Sequence, residues 1–278
     1  MKKNFGIIGN PITHSLSPLL HNYWFKKYKL DANYSIIEAK ENNLSDIVKK
    51  IKDNYLNGIN VTLPYKQRII NSIDRIINDA EITGSVNTVL QDENGSIIGE
   101  NTDVFGLQAA YLKGLKNISN KKTLVIGAGG VAPSVILSLQ KSGVKNISII
   151  NRTYEKCLFL KKKFNYINIL SWNNLQSEIG RHDIIINATS LGLKNGEDFD
   201  INFSSCSDNA IYIDTIYNPL KTKTFNYLKD KGIKVFNGLD MFIYQGQKSF
   251  YLWNKINPEI DDDLINLLLS KLKWKKLE

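Results

Sequence analysis

The chain has 278 residues, of which 42% are hydrophobic and 23% are charged, and its formal net charge at pH 7 is +9. This length favours two domains, and the composition is that of a globular protein with a large core, not of a disordered chain. The lysines are scattered, and the short basic clusters at 161–163 and 273–276 contain only one aromatic residue, Trp274. We therefore expect a surface that attracts anionic small molecules, and no nucleic-acid partner.

The cysteines and the N-terminus limit the class further. Cys157 and Cys206 form no CxxC pair and have no histidine close by in sequence, which argues against a zinc site and a disulfide framework. We expect no metal, and two buried or half-buried thiols in a reducing compartment. The chain runs directly into a strand-like segment at Phe5–Ile8, and no apolar run approaches the roughly 18 residues of a membrane span. The prediction is a cytoplasmic protein without a membrane partner.

The first hundred residues alternate short apolar runs with helical patterns. The predicted strands are 5–8, 34–37 and 58–62, and the predicted helices are 18–29 and 44–54. Ser17 is the expected N-cap of the first helix, with Pro18 in its favoured first position, and Asn43 or Ser45 starts the second. Strands separated by helices predict a parallel α/β sheet.

The rest of the chain continues this alternation. We expect helices at 107–118 and 131–142, strands at 123–126, 146–150, 183–187, 210–214 and 233–236, and an almost wholly helical end from Leu239 to Lys276. This rhythm predicts a doubly wound, Rossmann-type dinucleotide-binding domain at 105–239. The remaining segments, 1–104 and 240–278, would form a second α/β domain, with the C-terminal helices packing back on the N-terminal part.

A glycine-rich turn follows the predicted strand at 123–126. Gly127-x-Gly129-x-x-Ala132 matches the Rossmann fingerprint, in which small residues allow a tight turn and bring backbone amides to a pyrophosphate at a helix N-terminus. The strand before it and the helix after it favour dinucleotide binding. A glycine-rich turn without a ligand is the alternative that the pattern leaves open.

The end of the following strand bears on cofactor preference. NAD-binding domains place a carboxylate there for the ribose diol, whereas this chain has Asn151-Arg152-Thr153. The planar cation of Arg152 suits a 2′-phosphate, and its neighbours add hydrogen-bonding groups. The sequence therefore favours NADP(H), with a solvent-exposed arginine at a strand end as the plainer alternative.

Four segments in the N-terminal part carry side chains suited to substrate chemistry. Ser15 and Ser17 precede a helix, where hydroxyls and free amides could hold a carboxylate, although Ser17 could simply cap the helix. Lys66 follows a proline-containing turn after Thr62, the third segment is Gly84–Thr88 with Asn87, and in the fourth Asp103 follows an Asn-Thr pair. A lysine and an aspartate that meet could form a proton-transfer pair, but the spacing alone does not bring them together.

Nine segments in order resemble the signature of the shikimate dehydrogenases. They are 9–22, 60–66, 84–88, 99–103, 127–130, 151–153, 187–193, 214–219 and 238–245. The match runs from Gly6 to about Trp253, and four of the six prolines lie in these nine segments. The resemblance implies the NADPH-dependent, reversible reduction of 3-dehydroshikimate to shikimate in aromatic amino acid (chorismate) biosynthesis.

The resemblance also implies residue roles. Lys66 and Asp103 would be the catalytic pair. The substrate carboxylate would bind to Ser15 and Ser17. The ring hydroxyls would bind to Thr62, Asn87 and Gln245, with Tyr217 nearby. The pyrophosphate of the cofactor would lie on the turn formed by Gly127, Ala128, Gly129 and Gly130. The 2′-phosphate of the cofactor would bind to Asn151, Arg152 and Thr153. The nicotinamide half would lie beside Thr189, Ile216, Gly238 and Met241.

Two positions depart from the family pattern, and three alternatives stay open. Val104 stands where glycine usually follows the Asn-Thr-Asp motif, and Pro133 stands where the cofactor loop often has a cation. The alternatives are a quinate/shikimate dehydrogenase using NAD, a paralogue acting on a related cyclic acid, and a non-catalytic sensor of the metabolite. A monomer and a homodimer are both compatible with the sequence.

Overall fold

The computed structural model describes residues 2–193 and 197–274. The chain divides into two compact units, Met1–Phe105 with Ile243–Glu278, and Gly106–Phe242. The expected return of the C-terminal helices to the N-terminal part is confirmed. The assignment of substrate binding to the first unit and cofactor binding to the second stays a prediction.

Each unit contains one sheet. The strands of the first are β1 (Lys3–Ile8), β2 (Ala32–Ile36), β3 (Gly58–Val61), β4 (Arg75–Ile76), β5 (Thr88–Gln91) and β6 (Ile97–Glu100). Those of the second are β7 (Lys122–Ile126), β8 (Asn146–Ile150), β9 (Asn168–Leu170), β10 (Ile184–Asn187), β11 (Ile211–Asp214) and β12 (Lys234–Phe236).

The helices alternate with these strands. They are α1 (Ser17–Lys27), α2 (Leu44–Lys52), α3 (Asp79–Thr83), α4 (Asp103–Leu107), α5 (Ala132–Lys141), α6 (Tyr154–Lys163), α7 (Leu175–Ile179), α8 (Lys223–Asp230), α9 (Leu239–Asn254) and α10 (Asp262–Trp274). A π-helical segment, Gln108–Leu112, continues α4, and short 3₁₀ turns lie at Glu41–Asn43, Arg68–Ser72, Ile118–Asn120, Trp172–Asn174 and Phe203–Ser205.

The first sheet is mixed, with the order β2-β1-β3-β5-β6-β4. β1 pairs parallel with β2 and β3, as expected, but β5 runs antiparallel to both β3 and β6. The prediction of a parallel sheet was therefore wrong for this part. A tight turn joins β5 to β6, with Gly95 at φ +83° between Asp92 and Ser96, and only antiparallel neighbours can be joined so directly.

Helix α2 shows how the apolar pattern builds the core of this unit. Its apolar residues recur at intervals of three and four, and all are buried: Leu44, Ile47, Val48 and Ile51. They pack with Ile8 and Ile59 of the sheet in one cluster. A stripe of this spacing lies on one helix face, so α2 covers one side of the sheet with its charged side turned away.

The second sheet is parallel throughout, with the order β12-β11-β10-β7-β8-β9. The strand order reverses direction between β7 and β10, which is the topology of a doubly wound nucleotide-binding sheet. The predicted α/β fold with a Rossmann-type domain is thus confirmed. Both cysteines are buried free thiols, as expected.

Two helix predictions need correction. The helix expected at 107–118 begins earlier, at Asp103, and its π-helical continuation stops at Leu112; a turn at Gly114 and the left-handed Asn117 (φ 54°) follow. The C-terminal helix is broken after Asn254, where Lys255 takes φ +57° and Pro258 lies in the connection. Lys275 and Lys276 lie outside the described residues.

Two features are absent from the described residues. No helix there is both long enough and apolar enough to cross a membrane. No group of three or more histidine, cysteine and acidic side chains is arranged to hold a metal ion in the same ranges.

Candidate active site

Sheet topology places four motifs of the first unit at one edge. The loop with Ser15 and Ser17 follows β1, and Thr62 follows β3, which is the parallel neighbour of β1. Asn87 precedes β5, whose register opposite β3 pairs Asn60 with Thr88. β6 runs back antiparallel to β5 and delivers the segment that ends in Asp103. The carboxyl ends of β1, β3 and β6 and the amino end of β5 therefore meet.

The predicted catalytic residues form a buried ion pair. Lys66 Nζ donates to Asp103 Oδ2 at 2.6 Å, and the two side chains are only 16% and 8% exposed. Lys66 follows a turn in which the amide of Tyr65 bonds to the carbonyl of Thr62, and the buried Tyr65 phenol donates to the carbonyl of Ala39 at 3.0 Å. The turn is thus anchored in the core, and Lys66 is not a surface lysine.

Asn87 fixes the other carboxylate oxygen. Its Nδ2 donates to Asp103 Oδ1 at 3.0 Å and to Thr102 Oγ1 at 2.9 Å, while its Oδ1 accepts from the amide of Thr102 at 2.8 Å. The amide of Asp103 in turn donates to Asn101 Oδ1 at 3.1 Å. Asp103 is therefore held on its backbone and on both carboxylate oxygens, so its position is set before any ligand arrives.

Helix α9 brings Gln245 to the same cluster. Gln245 Oε1 accepts from Asn87 Nδ2 at 3.4 Å. Thr62 follows β3, and its methyl would be 2.4 Å from a Cβ on Gly9, so the first loop approaches this strand end too closely to leave room for a side chain at Gly9. One hydrogen-bonded group therefore contains Lys66, Asp103, Asn87 and Gln245.

A second layer of buried polar groups lies beneath this cluster, and the sequence reasoning did not assign it a role. Ser249 of α9 contacts Asn60, Thr88 and Thr102 within 3.1 Å, and the phenol of Tyr34 donates to Asn60 Oδ1 at 2.7 Å. All are buried. Polar residues that interrupt apolar strand and helix faces were the available signal, since such groups are retained in cores when they are hydrogen-bonded.

The start of α1 differs from the prediction. Ser17 is the first helical residue and not the N-cap, which is Leu16 with no side-chain cap bond. Ser15 supplies the local bond instead, because its Oγ accepts from the amide of Ser17 at 3.2 Å. Pro18 is therefore the second helical residue and not the first as predicted, although it still lies in the first turn. Ser17 is nearly fully buried and Ser15 is partly exposed.

The carboxylate nearest to Asp103 in sequence is also unusual. Glu100 is buried, and burial raises the pKa of its carboxyl group against the opposing hydrogen bonds from Asn78 and from the amide of Asn101. Asn101 also donates through Nδ2 to the carbonyl of Ser85 at 2.9 Å. This segment is tied down on both sides, which fixes where the chain delivers Asp103.

In the second unit, the glycine-rich turn follows β7 and opens α5, as predicted. Gly127 has φ +113°, and a Cβ there would lie 2.8 Å from the carbonyl oxygen of Ala188. Gly129 is different: it is exposed, and the nearest atom to its would-be Cβ is 3.9 Å away. The fold requires glycine at 127 but not at 129, so the bare backbone at 129 suits close approach by a ligand. Pro133 is accommodated in the first turn of α5.

The segment after β8 supports this turn. Asn151 Oδ1 accepts from the amide of Ala128 at 3.1 Å, and its Nδ2 donates to the carbonyl of Thr153 at 2.8 Å. Asn151 is therefore used to join the two loops, which leaves Arg152 and Thr153 as exposed groups beside it. Arg152 forms no ion pair with the described residues, so its cation is available for an anionic ligand. These residues fit a phosphorylated dinucleotide.

The remaining predicted cofactor residues shape neighbouring loops. Thr189 Oγ1 donates to Asn187 Oδ1 at 2.7 Å, so its hydroxyl is used within its own loop. A Cβ on Gly238 would lie 2.3 Å from the carbonyl oxygen of Thr215, and the amide of Gly238 donates to the carbonyl of Ile216 at 2.8 Å. The amide of Met241, at the start of α9, donates to the phenol of Tyr111 at 3.2 Å.

Tyr217 and Asp214 complete this region. The Tyr217 ring stacks on Phe242 with centroids 4.6 Å apart. Tyr217 belongs to the second unit, unlike the other predicted substrate-binding residues. Asp214 ends β11, where it accepts from Thr222 Oγ1 at 2.9 Å and from the amide of Ile216 at 3.0 Å. Burial nevertheless raises the pKa of Asp214 to about 6.

A doubly wound sheet with a glycine-rich turn before a helix, together with a separate α/β unit that carries a buried lysine–carboxylate pair, is typical of a nicotinamide-nucleotide-dependent oxidoreductase. Comparison with known proteins makes this class specific. Residues 7–89 match the family model described as the shikimate dehydrogenase substrate binding domain, and residues 110–195 match the one described as shikimate / quinate 5-dehydrogenase.

Three relatives illustrate the likeness. Shikimate dehydrogenase (NADP(+)) of Pelagibacter ubique is 44% identical over 96% of this chain and 99% of its own length. The shikimate 5-dehydrogenase of Listeria monocytogenes, solved with shikimate and NAD, is 32% identical with a TM-score of 0.86 and covers 96% of both chains. The Thermus thermophilus enzyme, solved with NADP(H) and shikimate, is 28% identical with a TM-score of 0.85 and covers 98% of both chains. The chain belongs to the shikimate dehydrogenase family.

Proposed function

We propose that this chain catalyses the NADP-dependent interconversion of 3-dehydroshikimate and shikimate in the cytoplasm, as a step of aromatic amino acid biosynthesis. The observation that carries the proposal is the ion pair between Lys66 and Asp103, buried at the sheet edge where Asn87 and Gln245 also lie. Family membership and the exposed Arg152 support the substrate and the cofactor respectively.

The substrate is a small ring with a carboxylate, hydroxyls and one ketone. Ser15 and the start of α1 provide hydroxyl and amide donors for the carboxylate. Asn87, Gln245 and Thr62 provide amide and hydroxyl groups for the ring hydroxyls. Paired hydrogen bonds of this kind reject analogues that lack a hydroxyl, because a buried polar group of the site is then left without a partner.

Lys66 and Asp103 perform the proton transfer. When bound, NADPH supplies the hydride that adds to the ketone carbon. As the ketone oxygen gains negative charge, the ammonium of Lys66 stabilises it and donates the proton that completes the hydroxyl. Asp103 holds the ammonium of Lys66 in place through their hydrogen bond, and accepts a hydrogen bond from the new hydroxyl. In the reverse direction Lys66 takes the proton back.

The cofactor would be held by the second unit. The pyrophosphate would bind to backbone amides of the turn Gly127–Gly130 and of the first turn of α5. The 2′-phosphate would bind to Arg152 and Thr153. The nicotinamide half of the cofactor would lie beside Thr189, Ile216, Gly238 and Met241. An NAD-dependent enzyme acting on quinate has less support, because no carboxylate stands at the end of β8. A non-catalytic sensor would have no use for a buried proton-transfer pair.

The test is the rate at which the purified protein reduces the nicotinamide, followed by absorbance, with shikimate or quinate and with NADP⁺ or NAD⁺. We expect rapid reduction with shikimate and NADP⁺ and slow reduction in the other three combinations. Comparable rates with quinate or NAD⁺ would move the protein to the broader class. A folded protein that reduces neither cofactor with either substrate would refute the proposal.

A further inference from the structure

The hydroxyl of Ser249 occupies an unusual position in the first unit. It is fully buried on α9, and its Oγ lies 2.7 Å from Thr88 Oγ1, 3.1 Å from Thr102 Oγ1 and 3.0 Å from Asn60 Nδ2. It also donates to the carbonyl of Gln245, one turn earlier in the helix, at 3.0 Å. One hydroxyl thus contacts four separate polar groups.

Two of these contacts lie next to a residue of the candidate active site in sequence, and a third is bonded to one. Thr88 follows Asn87, and Thr102 precedes Asp103. Asn60 donates to the backbone carbonyl of Asn87 at 3.0 Å as well as to Ser249. Ser249 therefore joins helix α9 to the start of β5 and to the segment between β6 and α4, which hold the site in place.

Gln245 depends on this junction. Its amide oxygen reaches Asn87 Nδ2 at 3.4 Å, near the upper limit for a hydrogen bond, so a small displacement of α9 breaks the contact. The side chain of Gln245 projects from the helix turn that ends at Ser249. The position of α9 relative to the sheet consequently decides whether the side-chain amide of Gln245 reaches Asn87.

A buried helical serine need not have such a role. Serine hydroxyls in helices often bond only to a carbonyl one turn back, which satisfies the hydroxyl and nothing else. Ser138 of α5 does this: it is fully buried and donates to the carbonyl of Val135 at 2.7 Å. Ser249 has the same back-bond and, in addition, three contacts to the sheet and the loop. Ser138 is thus a matched control for the loss of a buried serine hydroxyl.

We propose that Ser249 is a positioning residue that sets the location of Gln245 and Asn87 for recognition of the substrate hydroxyls. It does not touch substrate or cofactor. This inference rests on the proposed function, because the substrate it helps to recognise is the polyhydroxylated ring. Asp103 is also held by Lys66 and, through its backbone amide, by Asn101. We therefore expect the main effect on the KM for shikimate, with kcat and the KM for NADP⁺ close to those of the wild type.

The test compares Ser249→Ala with Ser138→Ala in steady-state oxidation of shikimate, well below the unfolding temperature of each variant. Loss of one buried hydrogen bond at a recognition site corresponds to roughly a fivefold change in an equilibrium constant. We expect Ser249→Ala to raise the KM for shikimate by about that factor, with kcat near that of the wild type, and Ser138→Ala to change neither. Equal kinetic effects of the two variants would overturn the inference.

A double mutant separates positioning from general loosening of the unit. If Ser249 acts through Gln245, then Ser249→Ala has little further effect on the KM in a Gln245→Ala background. Full additivity of the two substitutions would overturn the inference. Ser249→Cys, which keeps the side-chain size but forms weaker hydrogen bonds, should give an intermediate KM.

A spectroscopic measurement makes the test independent of activity. In glutamine-labelled protein, the side-chain amide resonance of Gln245, identified by its loss in Gln245→Ala, should shift in Ser249→Ala and stay in place in Ser138→Ala. An unshifted resonance would overturn the inference. A wild-type protein that does not oxidise shikimate would refute the proposed function instead, and this measurement would still decide the role of Ser249.

Discussion

The two units build their candidate sites in different ways. In the first unit the predicted residues bond to one another through buried side chains, as Lys66, Asp103, Asn87 and Gln245 do. In the second unit the key features are backbone shape at Gly127 and Gly129 and exposed groups such as Arg152, while Asn151 and Thr189 are used to hold loops.

The difference follows from what each unit would bind. A small polyhydroxylated ring offers few atoms, so selectivity has to come from fixed donors and acceptors whose own partners are already satisfied. A dinucleotide offers phosphates, which backbone amides at a helix start and one cation bind without a dense network. Substitutions should therefore act on turnover and substrate recognition in the first unit and on cofactor affinity or folding in the second.

The largest effect is expected at Lys66. We predict that Lys66→Ala lowers kcat by roughly 10²–10⁴, because the proton donor and the positive charge beside the developing alkoxide are both lost. The exposed Lys49 of α2 provides the control, and Lys49→Ala should leave kcat unchanged. Steady-state reduction of NADP⁺ by shikimate measures both. Near-normal turnover in Lys66→Ala would remove this lysine from the mechanism.

The next effect concerns cofactor choice. Hydrogen bonds to a charged group contribute about 1.5–3 kcal/mol, so Arg152→Ala should raise the KM for NADP⁺ roughly 10- to 100-fold and leave the KM for NAD⁺ almost unchanged. Arg181, exposed in the same unit and paired with Glu178 at 3.0 Å, is the matched control. Equal losses with both cofactors would show that Arg152 does not contact the 2′-phosphate.

Two glycines of one turn should behave differently. Gly127 has a positive φ, and a Cβ at this position would clash with Ala188 and Thr189. We therefore expect Gly127→Ala to lower the free energy of unfolding by about 3 kcal/mol. At Gly129 the Cβ has space, so Gly129→Ala should leave the unfolding transition unchanged and weaken NADP⁺ binding. Denaturant unfolding and a cofactor titration distinguish the two. A Gly129→Ala protein that binds NADP⁺ normally would remove this backbone from the pyrophosphate site.

The last prediction concerns a pH dependence of stability in the second unit. Burial raises the pKa of Asp214 from 3.8 to about 6, so the folded protein holds this proton more tightly than the unfolded chain does. The contribution is therefore fully present below pH 3.8 and is lost as the pH rises through 6, a loss of about 3 kcal/mol. In urea unfolding at a series of pH values, Asp214→Asn should lack this loss. Parallel pH profiles for the two proteins would contradict it.

Much of the fold was predictable because its signals are local. The Rossmann-type sheet follows from apolar runs at regular spacing, and Gly127 and Gly143 mark turns whose positive φ only glycine adopts easily. The antiparallel β5 and β6 were missed, since their pairing depends on a short turn at Asp92–Ser96 and not on hydrophobic period. The end of the helix after Asp103 was misplaced because a π-helical segment has no pattern of its own.

The candidate site divides in the same way. Family motifs indicated Lys66 and Asp103, but spacing in sequence could not show that they meet; the antiparallel return of β6 brings them together. The role of Ser249 was invisible, because its partners come from three segments far apart in the chain. Ser17 was misassigned as a cap because Ser15, two residues earlier, offers the same chemistry.

We infer that the buried Lys66–Asp103 pair acts as one catalytic unit. The direct test is the kcat for shikimate oxidation by Lys66→Ala, Asp103→Asn and the double variant. Residues that act together are strongly non-additive, so the double variant should be no slower than roughly the slower single variant. A double variant whose loss equals the product of the two single losses would mean that the residues act independently, and it would contradict the account.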